Sequence, residues 1–172
     1  IVSIINAINF IDGIDGLAIS IISIFIILLE FFATSFTPYY KFSIIILFSL
    51  MPMYYFNFRK TNKVFLGDSG SHFLGGVVSI YSIYILSQNY IIKPVFDMHK
   101  ILFVFSILSY PIIDIFRIIS IRLKQKRSPF EADKNHIHHR LMEKTGNHIY
   151  TVLVIVVFSL IITLLFQLIN SI

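Results

Sequence analysis

Five long apolar stretches, nearly free of charge, constrain this chain more than anything else in it. They run over approximately Ile14–Ala33, Phe42–Phe58, Phe73–Ile92, Ile101–Ile121 and Ile149–Ile169. A helix of about 20 residues crosses the roughly 30 Å hydrocarbon core of a bilayer, and each stretch has or approaches that length. Ile and Phe, which dominate them, favour strands by propensity. Runs this long without alternation read as spanning helices instead, because lipid leaves no backbone polar group a partner outside its own segment. The expected fold is therefore all-α: a polytopic transmembrane helical bundle with about five spanning helices, forming one integral membrane domain over residues 1–172. Charged residues make up 13% of the chain, against about 25% in soluble domains, too few to cover a water-facing surface. There is no cysteine, which excludes a disulfide framework and thiolate metal sites. The opening IVSIINAINF has no signal-peptide pattern and reads like the tail of something longer.

The loops between spans alternate sides. One face collects NAINFIDGIDG, the loop Arg59–Gly70 and the loop Arg122–His148; the other holds ATSFTPYYK and SQNYIIKPVFDMHK. Arg59, Lys60, Lys63, Arg122, Lys124, Lys126, Arg127, Lys134, Arg140 and Lys144 lie on the first face, and only Lys41, Lys93 and Lys100 on the second. The positive-inside rule makes the first face cytoplasmic, and Tyr39, Tyr40, Tyr90 and Tyr150 fall near segment ends as interfacial aromatics do. The net charge of +5 is accounted for by topology and anionic headgroups, the Lys124–Arg127 cluster included, so no nucleic-acid partner is implied.

Three polar clusters share the cytoplasmic face. In Asn6-Ala-Ile-Asn9-Phe-Ile-Asp12-Gly-Ile-Asp15-Gly, the three-residue steps Asn9, Asp12, Asp15 would follow one helical face, while the glycines mark an irregular turn into the first span. Helix capping explains one such Asp, not two Asp with two Asn and two Gly. The second cluster, Phe65-Leu66-Gly67-Asp68-Ser69-Gly70-Ser71, opens the third span. Small residues at a helix N-terminus suit phosphate, and a carboxylate beside them suits Mg²⁺. A plain capped helix start is the bland alternative, and the GDSG string of serine proteases belongs to a β-barrel this chain does not offer. The third cluster, His136-Ile-His138-His139-Arg140, has histidines at i, i+2 and i+3. They share a helical face poorly, and with no CxxC, HExxH or facing His cluster to add ligands a transition-metal site is disfavoured. His and Arg donors suit oxyanions better, a solvated loop being the alternative. Within the fourth span, Asp114 and Arg117 are i, i+3 neighbours, expected to pair with each other, with Arg117 snorkelling to the interface. Glu30, near the outer end of its span, is expected to be interfacial.

Taken together, the strings NAINFIDGIDGLA, FLGDSGS and HIHHR resemble those of the polyprenyl-phosphate N-acetylhexosamine-1-phosphate transferases, glycosyl transferase family 4, in family order and over nearly the whole chain. SPFEADKNHIHHRL is similar to the GlcNAc-type branch rather than the peptidoglycan branch. The resemblance implies that Asp68 binds Mg²⁺, and that Asn6, Asn9, Asp15, Asn57, Phe65 and Gly67 bind the nucleotide sugar, with Asp15 near uracil and Phe65 stacking on the base. Asp12, Asp15, His136, His138, His139 and Arg140 would form the catalytic set. His72 matches a variable position and receives no role. The family's paired-Asp motif on an earlier cytoplasmic loop is not in this sequence, so the chain is expected to be the C-terminal part of a transferase with about ten to eleven spans, inactive by itself.

The implied reaction moves N-acetylhexosamine-1-phosphate, GlcNAc-1-phosphate in the first instance, from a UDP-sugar to undecaprenyl or another polyprenyl phosphate with release of UMP. This would be the first step of lipid-linked cell-surface polysaccharide synthesis, of the lipopolysaccharide or teichoic acid kind, at the cytoplasmic face of the bacterial inner membrane. The bilayer itself is a partner, and a homodimer is the candidate association. The rival from another class is a transporter half, which would line a pathway with intramembrane charges; only Asp114 and Arg117 qualify. A CDP-alcohol phosphotransferase would need Ala-Arg soon after the first DG, where this chain reads DGIDGLAIS. A His-dependent desaturase would need more His boxes.

Overall fold

In the computed structural model, which describes residues 1–33, 35–87, 100–128 and 135–169, extended secondary structure is entirely helical among the described residues. The helices are α1 (Val2–Ile11), α2 (Leu17–Phe32), α3 (Tyr40–Asn57), α4 (Gly67–Ser87), α5 (Lys100–Ile107), α6 (Ser109–Lys124), α7 (Ile137–Thr145) and α8 (His148–Ile169). The all-α expectation holds. By length and apolarity α4 and α8 can each cross a membrane, and α5 with α6 makes a third span if the pair, bent by 73°, is taken as one. Helices occupy most of the described part of each of the five apolar stretches, but α2 is only 16 residues long and α3 is diluted by polar groups and Pro52. Tyr90, Lys93 and Lys134, and the end of the third expected span, lie outside the described residues.

Several boundaries move for identifiable reasons. The first span begins at Leu17 rather than Ile14, because Gly16 sits in the left-handed region (φ 78°) and ends the turn. The third begins at Gly67 rather than Phe73, since the GDSG string is already helical. The fourth is broken at Leu108, so that α6 leaves the direction of α5 and carries Tyr110, Asp114 and Arg117 on a separate axis.

The core is built around α2, which packs against α1, α3, α4 and α8. Its Leu17, Ala18, Ile22, Phe25 and Ile26 are fully buried, together with Ile8, Ile11, Tyr81 and Phe103 from the surrounding helices. Tight packing of α1 on α4 depends on Gly75, where a Cβ would stand 2.8 Å from the Ile5 Cα, the small-residue contact that lets membrane helices approach. Phe31, Phe48, Phe116 and Leu168 point outward, as lipid-facing side chains do when the solvent is hydrocarbon. At the far end of α2, Glu30 accepts hydrogen bonds from the Thr37 and Ser43 hydroxyls, each 2.8 Å, and Ser43 contacts the Tyr81 hydroxyl at 2.9 Å. Glu30 is thus a half-buried fastener of the α2–α3 connection.

Candidate functional site

The α1–α2 turn, the start of α4 and the start of α7 meet at one end of the bundle. Helix α1 stops at Ile11 with Asp12 as its C-cap, so Asn9, Asp12 and Asp15 do not form a single row. Asn9 faces α4, donating from Nδ2 to Asp68 Oδ1 (3.1 Å) and to Ser71 Oγ (2.8 Å). Asp12 is half-buried while Asp68 is exposed. Burial, and next to it the negative charge of Asp68, push the Asp12 carboxyl up to about 6, the shift expected when two carboxylates share a site.

Asp15 turns the other way. It is buried, pairs with Lys63, and lies 3.3 Å from Nδ1 of His148, which accepts the Asp15 backbone N–H at 3.2 Å. Asn57 is buried at the end of α3, accepting the Gly16 N–H and donating to the Val64 carbonyl at 2.9 Å. Its amide therefore joins the glycine turn to the α3–α4 loop. Gly16 needs its positive φ, and a Cβ there would lie 2.3 Å from the Phe58 ring. Phe65 stands 65% exposed on the same loop, an open aromatic face, and Gly67 (φ 66°) begins α4.

The histidines approach this turn from the other side. A Cβ on Gly13 would meet His138 Nε2 at 2.8 Å and His139 Nε2 at 3.0 Å, so the turn and the HIHHR helix are in contact only because residue 13 has no side chain. The His138 and His139 rings are 4.4 Å apart between centroids, and His136 and His138 5.3 Å. His138 is fully buried, and its Nε2 has no hydrogen-bond partner. Burial, then the neighbouring His139, hold its imidazole down at about 3, so it is neutral at physiological pH. His139 is half-buried and Arg140 exposed. Asn6 lines a separate cavity of about 150 Å³ between α1 and α6, with Phe10, Arg122 and His136.

Two expectations are corrected here. Asp114 does not pair with Arg117: its Oδ2 lies 2.6 Å from His136 Nδ1 and its Oδ1 accepts the Ile137 N–H at 2.8 Å, while Arg117 donates to the Asn135 carbonyl at 2.6 Å. The histidines also have a facing ligand-type group after all, since donor atoms of Asp114, His136 and His138 lie within 4.8 Å of one another. That grouping could surround a cation, but Asp114 already bonds His136 Nδ1 and the Tyr110 hydroxyl already lies 2.8 Å from His138 Nδ1, while His138 Nε2 is without a partner. Asp12 and Asp68, with Asn9 beside them, offer the hard oxygens that Mg²⁺ takes. Lys63, Ser71, Tyr110, Asp114 and His148 were not among the site residues read from sequence. Only the intramembrane charge of Asp114 signals it in the sequence; Lys63 is there one cation of a basic loop, and His148 the last residue of the Arg122–His148 loop.

An acidic turn, the start of α4 and a histidine helix meet at one end of apolar helices, the layout of a membrane-type helical protein. Residues 1–86 match the sequence profile described as Glycosyl transferase family 4, and the chain belongs to that family. It is 37% identical over 122 residues, 71% of this chain and 32% of the relative, to a probable undecaprenyl-phosphate N-acetylglucosaminyl 1-phosphate transferase of Bacillus subtilis. Over 104 residues, 58% of this chain and 26% of the relative, it is 36% identical to the decaprenyl-phosphate N-acetylglucosaminephosphotransferase of Mycobacterium tuberculosis. The undecaprenyl-phosphate alpha-N-acetylglucosaminyl 1-phosphate transferase of Pasteurella multocida is 30% identical over 109 residues, 60% of this chain and 28% of the relative. The aligned stretches thus span about a third or less of these relatives. No solved structure matches the chain.

Proposed function

We propose that the complete protein transfers N-acetylhexosamine-1-phosphate, GlcNAc-1-phosphate in the first instance, from a UDP-sugar to polyprenyl phosphate. The observation that carries this reading is the convergence of Asp12 and Asp68 with the His138–His139 pair at one end of an apolar bundle. The names of the relatives, each a GlcNAc-phosphate transferase to a polyprenyl phosphate, supply the substrate class. The site lies at the cytoplasmic face of the bacterial inner membrane in this reading, and the product begins a lipid-linked surface polysaccharide.

An oxygen of the lipid phosphate attacks the β-phosphorus of the UDP-sugar. The bond from that phosphorus to the bridging oxygen breaks, and UMP leaves with the bridging oxygen. Because both reactants carry phosphate, the site must chiefly position them and compensate charge. Mg²⁺ held by Asp68 and Asp12 supplies Lewis-acid neutralisation when bound. The start of α4 stands beside this turn, where Asn9 contacts Asp68 and Ser71, and the positive end of its dipole favours phosphate. Asn9 fixes the Asp68 carboxylate, Phe65 receives the nucleotide base on the loop that Lys63 ties to Asp15, and His139 and Arg140 donate to phosphate oxygens. The apolar helices keep the polyprenyl tail in lipid.

The test is UMP release by the purified complete protein given UDP-GlcNAc, polyprenyl phosphate and Mg²⁺. Asp68→Asn should lower the rate by about 100-fold or more, as loss of a principal charge-stabilising group does, while membrane insertion is unchanged. A rate near that of the unaltered protein would remove Asp68 from the metal role.

A further inference from the structure

The face of α6 that meets the histidine motif is ordered in a way the sequence motif does not explain. Tyr110, Asp114 and Arg117 are spaced i, i+4, i+7, one stripe of a helix. Their partners run in the opposite order. Tyr110 reaches His138, Asp114 reaches both His136 and the Ile137 N–H, and Arg117 reaches the Asn135 carbonyl. Three consecutive points of α6 thus hold four consecutive residues at the entry to α7. Tyr110, Asp114, His136 and His138 are each at most 5% exposed, so water does not compete for these bonds.

Asp114 carries the largest share. Helix α7 has His136 at its N-cap with no side-chain cap of its own, which would leave its first N–H groups unsatisfied. The Asp114 carboxylate supplies that cap from another helix. A carboxylate can only accept, so the bonded Nδ1 of His136 carries a proton and its Nε2 is the ring nitrogen left for another partner. Tyr110 likewise fixes the ring of His138, whose free Nε2 faces Gly13 and the acidic turn. The 73° break before α6 makes this alignment, since it gives the stripe an axis different from that of α5.

We propose that Tyr110, Asp114 and Arg117 form a positioning rail that sets the tautomer of His136 and the ring orientation of His138 for the transfer reaction. The assignment rests on the reaction proposed above for its catalytic consequence, and on geometry alone for the placement of the histidines.

In the complete protein, Asp114→Asn keeps the shape but replaces one of the two acceptor oxygens with an N–H₂ donor. It should lower kcat about 10- to 100-fold, the usual cost of losing a group that orients a catalytic imidazole, with KM for UDP-GlcNAc within about threefold. The double variant with His136→Ala should be no slower than His136→Ala alone, because residues acting as one unit are not additive. Independent of turnover, diethylpyrocarbonate should modify His139 faster than His136 or His138 in the unaltered protein, and Asp114→Asn should make His136 reactive. Additive losses, an unchanged kcat, or a His136 as reactive as His139 before substitution would overturn the rail. If the unaltered protein releases no UMP, the reaction reading fails and the labelling pattern alone decides the placement. Should Asp114→Asn not fold, Tyr110→Phe, which removes one oxygen, decides by the same cycle against His138→Ala.

Discussion

Asp12 shows how a residue's neighbours determine its chemistry. Its carboxyl sits at about 6 because burial and Asp68 both oppose ionisation. The sign for stability follows directly. The folded pKa is above the unfolded value, so the folded state binds the proton more tightly, and stability falls as pH rises from about 4 through about 6. Asp12→Asn should therefore raise the melting temperature at pH 7.5 without Mg²⁺ and change it little at pH 4, as read by thermal unfolding in detergent. Added Mg²⁺ should raise the melting temperature of the unaltered protein at pH 7.5 and that of the variant less, by ligand linkage. A variant that gains as much from Mg²⁺ as the unaltered protein would remove Asp12 from the metal. Transfer activity should decline as pH drops through about 6, where Asp12 takes up its proton. Asp15, three residues on, has a different environment despite the same sequence pattern, since Lys63 and His148 surround it.

At the scale of elements, two glycines decide whether the helices can meet. Gly16 ends the turn before α2 with a positive φ and lies against Phe58. Gly16→Ala adds left-handed strain of about 1–2 kcal/mol to overpacking of about 1–3 kcal/mol. The variant should lose roughly 2–5 kcal/mol, measured as a lower denaturation midpoint. Gly13→Ala acts differently: its backbone permits Ala, but the methyl would press on His138 and His139, so activity should fall more than stability. The glycines were legible in DGIDG as a turn; what they make room for was not, because Phe58 and the histidines come from distant parts of the chain.

For the whole molecule, the two ends of the bundle are chemically unlike. One holds Asp12, Asp15, Lys63, Asp68 and the histidines; the other holds the Glu30–Thr37–Ser43 fastener. If the first end is cytoplasmic, Lys63→Cys in intact cells of a cysteine-free complete protein should resist a membrane-impermeant maleimide, and Lys41→Cys should react. The reverse pattern would invert the topology. The five expected spans resolve into helices of unequal reach, two of them long and apolar enough alone and a third through the bent α5–α6 pair. Hydropathy detects apolar stretches but not bends, so the break at Leu108 was invisible to it.

The sequence by itself determined that the chain is helical, that its solvent is largely apolar, and which three polar strings lie on one face. Those properties follow from composition, run length and charge placement, all local or additive along the chain. Tertiary structure alone decided that Asn9 turns to Asp68 and Asp15 to Lys63, and that Asp114 serves His136 instead of Arg117. Each depends on where a helix stops or bends, and on which distant group arrives at hydrogen-bonding distance. No periodicity within a segment encodes that arrival.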